Sequence, residues 1–340
     1  MRTTPLVQWA AVAERFDACV RETVVQVLGS TLPGDAYEQA CLAPAVGGIG
    51  VRRVVAHAPD AFSASWHEAK STCKEDWLPS ASPGYVPQRA ASAAVDRASF
   101  TAIVARADAR EAQRLRRLDV PHANAWVAAQ PSSADCRDTV MSPKVYQVAV
   151  RRLLGLPVLP VPVPCPLCQQ TMDTLGDHAL CRKTSDTITR HNRLRNLVFV
   201  LADQGLLAPE MEKLGILGPS DRSQRRPGDV SFKSWAANRG LAIDVAVICP
   251  LAASHLAEDE PCEEYAQHHK RARYEASFVG SSYDFVPMVF ETSGAVNADG
   301  LLVLKQILRF ASKRSGMGHS AFLWAWALLA AYRLQLRSRF

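Results

Sequence analysis

One carboxylate inside an aliphatic run constrains this chain more than any other feature. From Leu241 to Ile248 the sequence is nearly all aliphatic, yet Asp244 stands in its middle. Such a run reads as a strand buried on both faces. A carboxylate there is costly unless a partner or a cation holds it. A second short extended run, Asp229–Phe232, opens on another acid. The two are joined by a polar turn containing Asn238, Arg239 and Gly240. A hairpin through that turn brings Asp229 and Asp244 together. Paired acids on adjacent strands make a hard-oxygen site suited to Mg²⁺. The structural alternative makes Asp229 a turn residue and Asp244 the partner of an arginine.

With 340 residues, the chain has the length of two compact units. Its net charge of +6 favours an anionic partner, though only as a bias. Arg2 is followed by Thr, Thr and Pro, and no long apolar stretch follows as in a secretory signal. Ala321–Tyr332 is apolar but too short to span a bilayer, and reads as a buried helix. The nine cysteines are not spaced as a disulfide framework. A reducing compartment, nuclear or cytoplasmic, is expected.

Residues 1–60 read as helical, with Val12, Phe16, Cys19, Val20 and Val24 spaced as one apolar face. Gly47, Gly48 and Gly50 predict a tight, exposed turn between packed helices; the flanking pattern of a P-loop is missing. Residues 64–100, with Trp66, Trp77 and a Pro-Gly-rich stretch, read as an irregular linker. Ala91–Leu118 reads as one helix ending in the basic cluster Arg114–Leu118, either a solvated face or a phosphate contact. Pro121–Ser132 breaks it, and Pro143–Leu154 is a further helix. The alternating prolines that follow favour a stiff extended connector and mark the clearest boundary.

Beyond the connector, Cys165 and Cys168 form a CxxC pair, and His178 and Cys181 an HxxC pair. Two such pairs close a tetrahedral Zn²⁺ site, whereas a redox role would need only the first. Thr187–Gln204 reads as a helix carrying Arg190, His191, Arg193 and Arg195, with the lone histidine read as structural. Cys262–Val279 reads as a helix bearing Lys270, Arg271, Arg273 and Tyr274. Tyr283–Phe290 is a last strand ending in Glu291, and helices near Ala298–Lys313 and Ser320–Leu336 close the chain.

The order CPLC…GDHALC, TRHNRLR, RPGDV…AIDVAV, KRARY, VFET resembles the C-terminal part of non-LTR retrotransposon proteins that carry a restriction-enzyme-like endonuclease. LAPAVGGIGVRR and PHANAWVAAQPS look like the segment that follows the reverse transcriptase in such proteins. No YxDD polymerase motif is present. The resemblance implies an α+β chain in three parts. A helical region covers 1–155, the connector and a zinc knuckle 156–181, and a PD-(D/E)xK-type mixed sheet flanked by helices 182–340. It implies a nuclease that nicks target DNA, with RNA as a further possible partner. Asp229 and Asp244 would bind magnesium and Lys270 would offset phosphate charge, with Glu291 adding an acid at the same edge. Arg190, Arg193 and Arg273 would meet nucleic acid. Two departures stand out: Gly228 splits Pro227 from Asp229, and Ala246 occupies the place where the pattern has a lysine. The rival reading is a zinc-containing nucleic-acid-binding remnant without catalysis.

Overall fold

The computed structural model describes residues 5–72, 86–121, 123–128, 142–166, 168–181, 185–220 and 225–315. Trp77, the helix expected over Ser320–Leu336 and the apolar run Ala321–Tyr332 lie outside these. The chain is α+β. Helices α1 (Ala10–Leu28), α2 (Gly34–Cys41), α3 (Val54–Thr72), α4 (Gln88–Arg106), α5 (Ala109–Leu118), α6 (Ala125–Ala128) and α7 (Pro143–Leu153) come first. A two-stranded ribbon, β1 (Val163–Pro164) and β2 (Thr171–Met172), follows, with the short helix α8 (Asp177–Cys181). Then come α9 (Ser185–Gln204), β3 (Pro209–Met211), β4 (Val230–Ala236) and β5 (Arg239–Ile248). Helices α10 (Pro261–Tyr265) and α11 (Ala272–Tyr274), strand β6 (Tyr283–Glu291) and α12 (Ala298–Ser315) complete the described chain.

The four longer-range strands pair in the order β3-β4-β5-β6, antiparallel except for the last pair, β5 with β6. Alternation along β5 divides its side chains between two faces. Leu241, Ile243 and Val245 pack against Leu194, Val198 and Leu201 of α9 and Leu304 and Ile307 of α12. On the opposite face Ala242 joins a cluster with Phe278 and Phe285, and Ala246 and Ile248 join one with Cys262 and Ala266. Asp244 falls on this second face, between the two clusters.

Part of the outer edge of β6, at Pro287 and Val289, is covered by one asparagine. Asn297 donates its backbone N–H to the Val289 carbonyl, accepts from Val289 N–H through Oδ1, and donates Nδ2 to the Pro287 carbonyl. A side chain thus supplies bonds that a further strand would make at this part of the edge.

Several helical expectations change. The apolar face assigned to α1 holds only in its second half: Val20 and Val24 are half-buried, Val24 against the helical core, but Val12, Phe16 and Cys19 are exposed, whereas Ala13, Asp17 and Leu28 are buried. Asp17 explains the shift, because its carboxylate accepts from the backbone N–H of Val54 and Val55 and so caps the start of α3. The expected linker over 64–100 is helical at both ends, as α3 runs to Thr72 and α4 begins at Gln88. The single helix expected over Ala91–Leu118 breaks at Asp108, whose side chain accepts from Glu111 N–H at 2.8 Å and caps α5. The glycine turn is exposed only at Gly50, since Gly47 and Gly48 are buried. A Cβ on Gly48 would meet the Leu42 carbonyl oxygen at 2.0 Å, so only glycine fits this close approach.

The basic end of α5 points inward. Arg110, Gln113, Arg114 and Arg117 recur at helical spacing and form one joint among three parts of the chain. Arg110 pairs with Asp177 at the knuckle. Gln113 donates to the Glu258 carbonyl, and Arg117 reaches the Asp259 carbonyl and Glu291. Arg114 bonds Glu111 and Gln39 within the helical region. A solvated or phosphate-gripping face is therefore ruled out for Arg114 and Arg117.

Candidate functional site

The hairpin forms, with its turn one step earlier than expected. Ala237 and Asn238 both take left-handed backbone angles (φ 48° and 58°) between paired Ala236 and Arg239, the pattern of a tight two-residue turn. Val230 faces Ile243 across the ladder. One step further in the same register sets Asp229 opposite Asp244. Gly228 serves this approach, because a Cβ there would meet the Ala242 Cβ at 3.0 Å. The glycine between Pro227 and Asp229 thus lets the chain enter β4 tightly against β5.

The two acids are held differently. Asp229 Oδ2 accepts from Val245 N–H at 2.6 Å, and His191 Nε2 of α9 lies 3.3 Å from its Oδ1. Asp244 is 8% exposed. Lys270 Nζ lies 2.6 Å from its Oδ2 as a close, buried ion pair. Burial pushes the Asp244 carboxyl up to about 6, with the Asp229 charge adding to the rise and Lys270 opposing it. Burial is the largest influence on the Lys270 ammonium and works against it, but the Asp244 charge and hydrogen bond, with Tyr265 and Tyr274, together outweigh it and raise its pKa.

Lys270 reaches the acid from an irregular part of the expected Cys262–Val279 helix. Between α10 and α11 the chain winds as a π-helical segment, Ala266–Arg271. Such segments are rare and frequent at functional sites. Ala266 is fully buried beneath the sheet, while Lys270 turns to Asp244. Tyr274 follows one turn on, its ring 6.0 Å from Lys270 Nζ and 5.2 Å from the Arg273 guanidinium. The structure therefore brings together Asp229, Asp244, Lys270 and His191. The histidine read as structural stands among the acids. Its sequence signal was its place in the basic start of α9, which did not show which strand that helix turn would cover.

Two expectations for this edge are corrected. Glu291 is not at the acid cluster. Asp244 pairs with Pro287 in the β5–β6 ladder, and Glu291 lies four positions further along, opposite Ile248. There it is fully buried, held by Arg117 through Nε and Nη2 at 3.0 and 2.8 Å and by the Ser293 hydroxyl at 2.7 Å. Arg190 is buried too and donates to the Leu180 carbonyl, so it ties α9 to the knuckle rather than facing nucleic acid. Arg193 is half-buried and Arg273 exposed, both open enough to meet a ligand.

At the knuckle, Cys165, Cys168 and His178 offer ligand atoms that all lie within 4.8 Å of one another. Cys168 Sγ is 3.1 Å from His178 Nε2. The ribbon β1–β2 presents the first two: Cys165 N–H donates to the Gln170 carbonyl and Gln169 N–H to the Cys165 carbonyl. The Asp173 carboxylate accepts from the backbone N–H of Asp177 and His178 and so fixes the start of α8. Two thiols and an imidazole are a donor set that holds a soft divalent metal. The expected fourth ligand, Cys181, is not in the group. It hydrogen-bonds Cys249 at the end of β5, which with burial holds its proton firmly. Among the described residues no cysteine is joined in a disulfide. Among the described residues no helix is long and apolar enough to cross a membrane.

Comparison with protein-family models and with curated proteins returned no match for the chain.

Proposed function

We propose that the chain is a divalent-cation-dependent DNA endonuclease of the restriction-enzyme-like kind, acting on target DNA as part of a retroelement protein. The observation that carries this reading is the meeting of Asp229, Asp244 and Lys270 on one face of a mixed sheet flanked by helices. The two acids supply hard oxygens of the kind a divalent cation takes. Asp229 and Asp244 would hold magnesium, which when bound activates water and offsets charge on the scissile phosphate. Lys270 stands where it balances negative charge beside the acids, and His191 steadies Asp229 from the opposite side. Arg193 and Arg273 would contact the nucleic-acid backbone. The knuckle would carry zinc on Cys165, Cys168 and His178, with Cys181 completing the set only if it leaves Cys249.

Supercoiled plasmid incubated with the purified chain and Mg²⁺ is expected to accumulate nicked circles, and EDTA to prevent it. Intact plasmid under both conditions would remove the endonuclease reading. One observation favours a second reading, a nucleic-acid-binding protein without catalysis: the Lys270–Asp244 ion pair already offsets one acid. DNA binding without nicking, unchanged by Asp244→Asn, would establish it.

A further inference from the structure

His191 reaches the acids from a rigid element. Leu194, Val198 and Leu201 follow it at helical spacing along α9, and all three are packed into the core against the sheet. Its neighbour Arg190 is tied to the Leu180 carbonyl. A ring carried by a packed helix is in place before any ligand arrives.

The donor facing it is equally fixed. Asp229 commits Oδ2 to the Val245 N–H at 2.6 Å, and its Oδ1 lies 3.3 Å from His191 Nε2. That separation is longer than the roughly 2.7–3.2 Å usual for an N–H···O bond. It is close to the spacing of two neighbouring ligands on one octahedral ion, about 3.0 Å for donors each about 2.1 Å from the metal and at a right angle. The two side chains are 30% and 15% exposed, so an ion can enter from solvent. Asp244 stands further off. Among the described residues only Cys165, Cys168 and His178 bring three such donors within 4.8 Å of one another, and the Asp244 carboxylate pairs with Lys270 at 2.6 Å. The close pair is thus His191 with Asp229, and Asp244 is the acid that changes partner when an ion enters.

We infer that His191 Nε2 is a ligand of the cation held by Asp229 and Asp244, and that this nitrogen makes the site prefer Mn²⁺ to Mg²⁺. The inference rests on the proposed cation site and adds the donor that sets which ion is taken. Mg²⁺ suits oxygen donors, and an imidazole contributes little to its binding. Mn²⁺ also takes octahedral oxygen coordination, but it belongs to the first-row series that sites with nitrogen donors bind. The ring acts in its neutral form, with the proton on Nδ1 and the Nε2 lone pair toward the ion. A histidine that only supported Asp229 would affect both ions alike; a nitrogen ligand separates them.

The test uses the full chain with its knuckle filled by one equivalent of zinc. Mn²⁺ binding is read from loss of the free ion's EPR signal, and Mg²⁺ binding from competition with it. The parent is expected to bind Mn²⁺ about tenfold more tightly than Mg²⁺, and pulsed EPR to show an imidazole nitrogen on the bound ion. That nitrogen signal should persist in His178→Cys, where the knuckle keeps zinc on thiolates alone. His191→Ala should remove the signal and weaken Mn²⁺ about tenfold, while Mg²⁺ shifts less than about twofold. His191→Glu, which offers oxygen in the same place, should bind both ions and lose the preference. Asp244→Asn should weaken both, which places the ion at the acids. Thermal unfolding checks that each variant folds. Absence of bound Mn²⁺ in the parent, a bound ion without the nitrogen signal, or equal weakening of both ions by His191→Ala would each overturn the inference. Mn²⁺ held through His191 by a chain that nicks no plasmid would keep the ligand and remove only the endonuclease. Nicking in Mg²⁺ by a chain whose bound Mn²⁺ shows no nitrogen would do the reverse.

Discussion

Two buried carboxylates on the same side of one sheet are treated in opposite ways. Glu291, at the end of β6, meets a two-pronged arginine and a hydroxyl, so its burial is compensated. Asp244, in the middle of β5, has one ammonium near it and a second acid opposite, and its carboxyl is pushed up to about 6. The first arrangement joins two regions of the chain. The second leaves negative charge under-compensated, the property on which the proposed cation site rests. Burial of an acid therefore says little by itself; the balance of its partners separates a joint from a site.

The joint should show the largest effect on stability. Arg117→Met leaves Glu291 buried and unpaired, and is expected to cost about 3–5 kcal/mol in urea unfolding. Adding Glu291→Leu to it should recover much of that loss, since an apolar pair replaces the ions. If Arg117→Met unfolds like the parent, the joint is only a surface contact and the contrast fails.

Asp244 should act through pH instead. Its folded pKa lies above the unfolded value, so its contribution is fully present below about pH 4 and is lost as pH rises through about 6. In chelator, the parent should therefore lose up to about 3 kcal/mol relative to Asp244→Asn between those limits. Parallel stability profiles for the two proteins would show that Asp244 ionises as it would in water.

At the knuckle, protein purified without added metal is expected to carry close to one zinc per chain by elemental analysis, and Cys168→Ser to lose most of it. Retention of zinc in that variant, or its loss in Cys249→Ser, would move the ligand set. The smallest effect belongs to a local device: Asp108→Ala removes the cap of α5 and should cost about 1 kcal/mol. A neutral result would mean that the joint made by Arg110 and Arg117, rather than the cap, sets where that helix begins.

The sheet's centre was legible because an acid within Leu241–Ile248 can be read from spacing alone. Lys270 was found because the segment after Asp244 offers no basic residue before the helix that carries it. The rest depended on partners distant in the chain. Arg117 and Glu291 are separated by 174 positions, and nothing local to either marks the other. The phase of α1 was misread because Asp17, a charged residue, belongs to the buried side as a cap for another helix. Cys181 followed the spacing rule for a ligand, but Cys249 at the end of β5 offers it a competing contact. The break at Asp108 was in plain view as an Asp-x-x-Glu cap, hidden by the alanine-rich helix before it.

The contrast is tested most directly by crossing Asp244→Asn and Glu291→Gln in two measurements on the same preparations, urea unfolding and plasmid nicking in Mg²⁺. Asp244→Asn is expected to unfold at no lower urea than the parent near neutral pH and to nick no plasmid. Glu291→Gln is expected to unfold at clearly lower urea while its folded fraction nicks at the parent's rate. Loss of folding in Asp244→Asn, or loss of nicking in a folded Glu291→Gln, would contradict the assignment of one acid to chemistry and the other to structure.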